Sequence, residues 1–301
     1  MAGYQFVQLD VFTTRRFGGN ALAVFPQAAN LDDATMQAVA RETNLSETTF
    51  VTGGDPAARR FDVRIFTPLR EVPFAGHPTV GTAWLLFQTA AAGADELTLA
   101  LRAGDVTVRR EGGAGAELVW FTPPPIEFGA VFDDADRLAE LYGVAPAAFD
   151  LDASPAQFVS AGPGMAFLIT PFADRAALEQ CEANVAALRR LEQDHGCALL
   201  TAFCRGGYAQ GSAFSTRMFA PLHGVPEDPA TGSSASALTG YLRHHGLIGD
   251  CGDEWLCLDQ GYSIARPSLI RLRANLDAAT GDITVNIGGH VVHAASGIYE
   301  I

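Results

Sequence analysis

The chain has 301 residues, enough for two ordinary domains, and it is 48% hydrophobic and 18% charged, which is typical of a folded protein with a sizeable core. Its net charge of −14 disfavours nucleic acid as a partner, because nucleic-acid binding depends on Lys and Arg side chains that neutralise phosphates. All 20 basic residues are Arg, and without Lys the chain cannot perform Schiff-base catalysis through a lysine or build a phosphate-binding loop that needs one.

The beginning of the chain, MAGYQFVQLDVF, lacks a basic segment followed by a long apolar run, so we expect no signal peptide. No window of about 18 apolar residues occurs in the sequence, which disfavours a membrane span. The five cysteines are an odd number without a CxxC pair, as expected in a reducing compartment. These features predict a cytoplasmic protein whose partner is neither a membrane nor a nucleic acid.

The first part of the chain alternates strand and helix patterns. The segments YQFVQLDVF (4–12) and ALAVF (21–25) are typical of strands. DDATMQAVARETNL (32–45) predicts a helix that stops near the asparagine in this segment. SETTFVTGG (46–54) and RRFDVRIFTP (59–68) then predict two strands joined through a glycine turn.

Two later segments predict helices that are buried on all sides. GHPTVGTAWLLFQTAAAGA (76–94) and GSSASALTGYLRHHG (232–246) each follow a turn that contains Pro and Gly. The first is apolar or small on nearly every side as far as Gln88, and such a helix normally lies in a core. Between them, residues 96–124 read as several strands joined by glycine turns. We therefore expect two β-rich units, each wrapped around one central helix.

An internal repeat supports this division. Residues 48–73 align without a gap on residues 201–226, with 11 of 26 positions identical where about two are expected by chance. Three prolines at 123–125 are typical of a linker. We predict an N-terminal domain over 1–125 and a C-terminal domain over 126–301, in which a last strand at about 290–301 packs on the first.

Glu47 is the first candidate for acid–base chemistry. It precedes an apolar strand, and the repeat places it opposite Leu200. A single carboxylate on a duplicated scaffold is typical of a one-sided general acid/base. The alternative is a solvated residue at the start of a strand, where Ser46 and Glu47 form a turn.

The starts of the two buried helices carry the other candidates. Gly76 and His77 begin the first, and a two-residue deletion in the repeat would place Asp228 opposite His77. Helix N-termini bind anions through their N–H groups and dipole, so we expect the two helix starts to face each other across a cleft that holds a carboxylate substrate. The alternatives are a satisfied core histidine and a capped helix, because Thr231, Ser233 and Ser234 are all good N-cap residues.

Five motifs, taken together and in order, resemble a known family. They are FGGNALAVF, NLSETTFV, RIFTPLREVPFAGHPTVGTA, FAPLHGVPEDPATGSSASAL and QGYSIARPS, and they are similar to the PhzF family of phenazine-biosynthesis-like isomerases. The resemblance implies the diaminopimelate epimerase-like α+β fold, with two pseudo-symmetric domains. Each is a rolled, mostly antiparallel sheet around a central helix, with the active site between them.

The resemblance also implies roles for individual residues. Glu47 of NLSET is the acid/base that moves a proton, and His77 of AGHP and Asp228 of EDPATGS assist it. Four residues are implied to contact the substrate: Asn20, Gly76, Gly232 and Ser233. The family further implies a homodimer that needs no cofactor or metal and acts on a small carboxylate-bearing metabolite. Burial is expected to raise the pKa of Glu47 so that it serves near neutral pH.

One departure from the family pattern is visible, together with one difference from the related epimerases and racemases. Ala21 stands where the family usually has Pro, which affects loop rigidity more than chemistry. The related epimerases and racemases use two cysteines at the helix starts, and neither helix start here carries Cys. We therefore favour a proton-shift isomerase related to trans-2,3-dihydro-3-hydroxyanthranilate isomerase. The alternatives are an epimerase or racemase of an amino-acid-like substrate, with His77 or Asp228 as second base, and a non-catalytic small-molecule-binding protein.

Overall fold

The computed structural model describes residues 2–113, 117–162 and 165–301. Residues 114–116, within the run of strands and glycine turns expected over 96–124, lie outside the described residues. Within them, the strands are β1 (Gly3–Val11), β2 (Asn20–Phe25), β3 (Glu47–Asp55), β4 (Arg60–Phe66), β5 (Glu71–Val72), β6 (Glu96–Leu101), β7 (Gly104–Glu111), β8 (Leu118–Phe121), β9 (Glu127–Val131), β10 (Gln157–Ser160), β11 (Ala166–Pro171), β12 (Leu200–Arg205), β13 (Phe214–Ala220), β14 (Val225–Asp228), β15 (Leu256–Gln260), β16 (Ser268–Leu276), β17 (Ile283–Gly289) and β18 (Val291–Glu300).

The helices are fewer than the strands. They are α1 (Asp33–Thr43), α2 (Gly76–Gln88), α3 (Ala135–Tyr142), α4 (Arg175–Gln180), α5 (Val185–His195) and α6 (Gly232–His244), with short 3₁₀ turns at Pro146–Ala148 and Pro221–His223. The α1 helix ends as expected, because Asn44 adopts the left-handed conformation (φ 51°) that terminates a helix.

The chain divides into two compact units. One unit contains Met1–Thr122 and Gly288–Ile301, and the other contains Pro123–Ile287. The division falls at Thr122, three residues before the boundary expected at 125. The last strand, β18, belongs to the first unit and pairs antiparallel with β1 from Gly3 opposite Glu300 to Val11 opposite Val291.

The two units repeat one succession of strand pairs. In the first unit the pairs β18–β1, β1–β2, β3–β4, β4–β5 and β6–β7 are antiparallel, whereas β2–β3 and β4–β6 are parallel. In the second unit β9–β10, β10–β11, β12–β13, β13–β14 and β15–β16 are antiparallel, whereas β11–β12 and β13–β15 are parallel. The duplication and the mostly antiparallel sheets expected from the sequence are therefore present.

One buried helix packs against the sheet in each unit, as expected. In the first unit α2 contacts β1, β2, β3, β7 and β8, and all residues from 76 to 83 are buried. Gly81 permits this close approach, because a Cβ there would lie 2.6 Å from Leu22 Cδ2 and 2.8 Å from Val11 Cγ2. In the second unit α6 contacts β10, β11 and β16. Both helices are shorter than expected, and α2 stops at Gln88 because Thr89 leaves the helical region (φ −125°, ψ −99°).

Candidate active site

Three polar side chains of the first unit come together at the starting ends of their elements. Asn20 is the first residue of β2, Glu47 is the first residue of β3, and His77 is the second residue of α2. The strands β2 and β3 are parallel, with Leu22 opposite Glu47, so their starting ends lie on the same edge of the sheet. The left-handed residue that ends α1 turns the chain back to that edge. The local fold thus brings together residues that lie far apart in sequence.

The hydrogen bond from Asn20 fixes the state of the His77 ring. Asn20 Nδ2 lies 3.2 Å from His77 Nδ1. An amide nitrogen only donates hydrogen bonds, so Nδ1 accepts and the neutral ring carries its proton on Nε2. His77 Nε2 lies 3.5 Å from Glu47 Oε2 and makes no hydrogen bond within the part of the chain that the structure describes. The N–H group of the imidazole therefore faces the carboxylate.

Burial keeps His77 neutral. Its side chain is 4% exposed, and desolvation lowers its pKa to about 3, because a charged imidazolium is disfavoured away from water. The Glu47 side chain is more accessible, at 19% exposed. At neutral pH this site accordingly contains a carboxyl group that a ligand can reach and a buried neutral imidazole behind it.

The second unit lacks this pair at the corresponding position. Leu200 starts β12 as Glu47 starts β3, and Leu200 pairs in parallel with Leu168 as Glu47 pairs with Leu22. Leu200 is fully buried in an apolar cluster. The register expected from the repeat is confirmed at this position, and only the first unit places a carboxyl group there.

The expected match between Asp228 and His77 is wrong. Asp228 is the last residue of β14, and a turn through Pro229 to Thr231 separates it from Gly232, which begins α6. Because the helix starts four residues after Asp228, the residue in the position of His77, second in its helix, is Ser233. Gly232 likewise takes the place of Gly76.

The Asp228 side chain is held by a network that the sequence did not reveal. Thr231 Oγ1 donates a hydrogen bond to Asp228 Oδ2. Gln260 Nε2 donates to Thr231 Oγ1 (3.0 Å) and to the Asp228 carbonyl oxygen (2.8 Å), and Gln260 Oε1 accepts from Thr231 N (3.2 Å). Asp228 and Gln260 are both buried. The only sequence signal for Gln260 was its place at the start of the QGYSIARPS motif.

The two buried helices differ from the others in how they begin. Helices α1, α3, α4 and α5 start after an Asp or Asn whose side chain accepts a backbone N–H bond. In the described part of the chain, α2 and α6 have no such side-chain cap, since Ala75 has no acceptor and Thr231 turns its hydroxyl to Asp228. The alternative of a capped helix is therefore realised only in position: Thr231 is the N-cap residue, but its side chain makes no cap hydrogen bond. Gly76, Gly232 and Ser233 lie in these uncapped first turns.

Across residues 2–113, 117–162 and 165–301, no group of three or more His, Cys, Asp or Glu side chains is placed to hold a metal ion. None of the helices described above is long and apolar enough to cross a membrane.

Comparison with known proteins places the chain in a family. Residues 9–297 match the family model PhzC-PhzF, described as phenazine biosynthesis-like protein. An uncharacterized isomerase of Mesorhizobium japonicum is 37% identical, covering 97% of each chain. The trans-2,3-dihydro-3-hydroxyanthranilate isomerase of Pseudomonas chlororaphis is 34% identical, covering 90% of each. The chain belongs to the phenazine biosynthesis-like family, and it is an isomerase.

Solved structures agree on the fold. A PhzF-family protein of Bacillus anthracis aligns over 100% of both chains with a TM-score of 0.90 at 22% identity. A probable proline racemase of Agrobacterium radiobacter aligns over 99% of this chain and 92% of the other with a TM-score of 0.64 at 13% identity. At these identities the likeness concerns the fold alone, and it confirms the epimerase-like α+β architecture expected from the sequence.

Proposed function

We propose that the protein is a cofactor-independent isomerase that moves a proton between two carbons of a small carboxylate-bearing metabolite, with Glu47 as general acid/base. The observation that carries this proposal is the Glu47–His77 pair, in which Nε2 of a buried, neutral imidazole lies 3.5 Å from the Glu47 carboxyl group. An accessible carboxylate beside a neutral donor is suited to taking a proton and returning it.

The proposed reaction begins with Glu47 ionised. Its carboxylate takes a proton from a substrate carbon next to an unsaturated or carbonyl group, and the electron pair of the broken C–H bond shifts the double bond. The protonated Glu47 then returns the proton to a second carbon, so that substrate and product have the same atoms. The N–H dipole of His77 Nε2, 3.5 Å from Glu47 Oε2, stabilises the carboxylate form of Glu47, and Asn20 keeps the imidazole in the tautomer that directs this N–H towards Glu47.

The substrate carboxylate is proposed to bind at the helix starts where, among the described residues, no N-cap side chain accepts from the backbone N–H groups. The first turns of α2 and α6 provide such groups at Gly76, Gly232 and Ser233. Asp228 assists proton transfer in this proposal, and Ser233 contributes a hydroxyl to substrate binding. The name of the Pseudomonas chlororaphis relative supports a cyclic amino acid of the dihydrohydroxyanthranilate type as the first substrate to try.

The test incubates the protein with trans-2,3-dihydro-3-hydroxyanthranilate in D₂O and follows product and deuterium content by NMR. We expect turnover with deuterium in the product, and we expect Glu47→Gln to lower kcat by about 10²- to 10⁴-fold, the range typical of a lost general acid/base. Glu42→Gln is the matched control, because Glu42 is exposed on α1 and should leave kcat unchanged.

Near-normal turnover by Glu47→Gln would refute the assignment of Glu47. Inversion at the exchanging carbon without a double-bond shift would favour the epimerase alternative, and binding without exchange would favour a non-catalytic protein. A homodimer in the cytoplasm is part of the same proposal, and light scattering of the purified protein tests the dimer by its mass.

A further inference from the structure

We propose that Gln260 and Thr231 are positioning residues that fix the Asp228 carboxylate for the reaction, an inference that rests on the proposed function of Asp228. Gln260 lies 29 residues after Thr231 in the chain, and nothing in the motif containing Asp228 indicates that this amide holds it. Thr231, Asp228 and Gln260 all belong to the second unit.

The amide of Gln260 bonds to three groups of the turn before α6. Its Nε2 donates to the Asp228 carbonyl oxygen at 2.8 Å and to Thr231 Oγ1 at 3.0 Å, and its Oε1 accepts from Thr231 N at 3.2 Å. Gln260 is 1% exposed, so water does not compete for these bonds. The amide therefore fixes both the backbone and the side chain of Thr231.

This arrangement decides where the Thr231 proton points. A hydroxyl group has one proton to donate and two lone pairs to accept with. Since Gln260 Nε2 is itself a donor, it uses a lone pair of Thr231 Oγ1, and the hydroxyl proton goes to Asp228 Oδ2. The carboxylate is thus held in one orientation by a hydroxyl that is itself held by an amide.

A second bond anchors the same turn without reaching the carboxylate. Ser268 Oγ lies 2.8 Å from the Pro229 carbonyl oxygen and 2.9 Å from the Arg266 carbonyl oxygen, and its one proton is shared between these two acceptors. Its loss loosens the turn but leaves the chain of bonds from Gln260 through Thr231 to Asp228 intact. Ser268→Ala is therefore the matched control that separates positioning of the carboxylate from stability of the turn.

The experiment measures kcat and KM with trans-2,3-dihydro-3-hydroxyanthranilate for Thr231→Val, Thr231→Ser, Gln260→Met and Ser268→Ala, with thermal unfolding of each. A hydrogen bond to a charged group supports an effect of about 10- to 100-fold. We expect Thr231→Val and Gln260→Met to lower kcat by that factor with KM within about threefold of the parent. Thr231→Ser, which keeps the hydroxyl, should restore most of kcat, and Ser268→Ala should keep it.

The double variant Asp228→Asn/Thr231→Val completes the test. If Thr231 acts through Asp228, adding Thr231→Val to Asp228→Asn lowers kcat by less than threefold, because the two losses are not additive. Fully additive losses, or equal activity of Thr231→Val and Thr231→Ser, would overturn the inference. An Asp228→Asn variant with parental kcat would instead overturn the role of Asp228 in the proposed function. If Gln260→Met does not fold, the comparison of Thr231→Val with Thr231→Ser still tests the inference.

Discussion

Acidification should destabilise this protein through His77 more than through an ordinary histidine. The perturbation is a change from pH 7 to pH 5, compared between the parent and His77→Gln, whose amide can still accept from Asn20 but does not titrate. The pKa of His77 is lowered by burial from 6.5 to about 3. Because the folded pKa lies below the unfolded one, the unfolded chain binds the proton first as the pH falls.

The sign and size of the effect of pH on the free energy of unfolding follow from the difference between the folded and unfolded pKa values of His77. The contribution of neutral His77 to the free energy of unfolding is fully present above pH 6.5 and is lost as the pH falls from 6.5 towards 3. Each pH unit in that window costs about 1.4 kcal/mol, so the loss at pH 5 is about 2 kcal/mol. His77 is buried, so solvent screening does not reduce this figure as it would at the surface.

Urea unfolding followed by circular dichroism at pH 7 and pH 5 provides the measurement. We expect the parent to lose about 2 kcal/mol more than His77→Gln between the two pH values, since all other groups titrate in both proteins. His293→Gln, a change at an exposed histidine on β18, should follow the parent. Equal pH dependence of the parent and His77→Gln would show that His77 is not buried in its neutral form.

Two further predictions concern stability. Arg217→Met leaves Glu227, whose side chain is 9% exposed, without the guanidinium that binds both its carboxylate oxygens at 3.0 and 2.7 Å. We expect this variant to lower the free energy of unfolding in urea by about 3–5 kcal/mol. The control Arg137→Met breaks an exposed pair with Asp194 and should cost less than about 1 kcal/mol, so equal losses in the two variants would contradict this reasoning. Gly81→Ala should lower the free energy of unfolding by about 1–3 kcal/mol, because the new Cβ would overlap Leu22 and this outweighs the higher helix propensity of Ala. Gly249→Ala is the control, because the space around Gly249 is open, and it should change the free energy of unfolding by less than about 0.5 kcal/mol. A Gly81→Ala variant more stable than the parent would refute the close packing.

The sequence predicted what depends on local pattern and on the repeat. The buried helices, the strand that begins at Glu47 and the opposing Leu200 all follow from periodicity or from the alignment of 48–73 on 201–226. The match of Asp228 to His77 failed because it lay beyond the end of that alignment. There, β14 runs further than β5 before the turn to the buried helix, whereas the match of Asp228 to His77 assumed a deletion in the second half.

The interpretation of Thr231 as a side-chain cap was not realised for a different reason. Thr231 occupies the N-cap position that its residue type favours, but its hydroxyl bonds to Asp228, and Gln260 stabilises that choice from a distant strand. Whether a Thr hydroxyl caps its own helix or bonds to another side chain depends on which partner tertiary structure supplies. A local pattern contains no information on a partner 29 residues away.

The asymmetry between the two units bears on the type of reaction. A proton shift requires one group that takes a proton and returns it, whereas inversion of a carbon requires two, one on each face of that carbon. In the second unit, the residues that correspond to Glu47 and His77 are Leu200 and Ser233, and a second acid/base would be expected at these positions. Leucine does not titrate, and the Ser233 hydroxyl is a poor base without a partner that accepts its proton. Within the described residues, only the first unit places an acid/base pair at these two positions, so inversion would require Asp228, the alternative second base, whereas the proposed double-bond shift requires Glu47 alone.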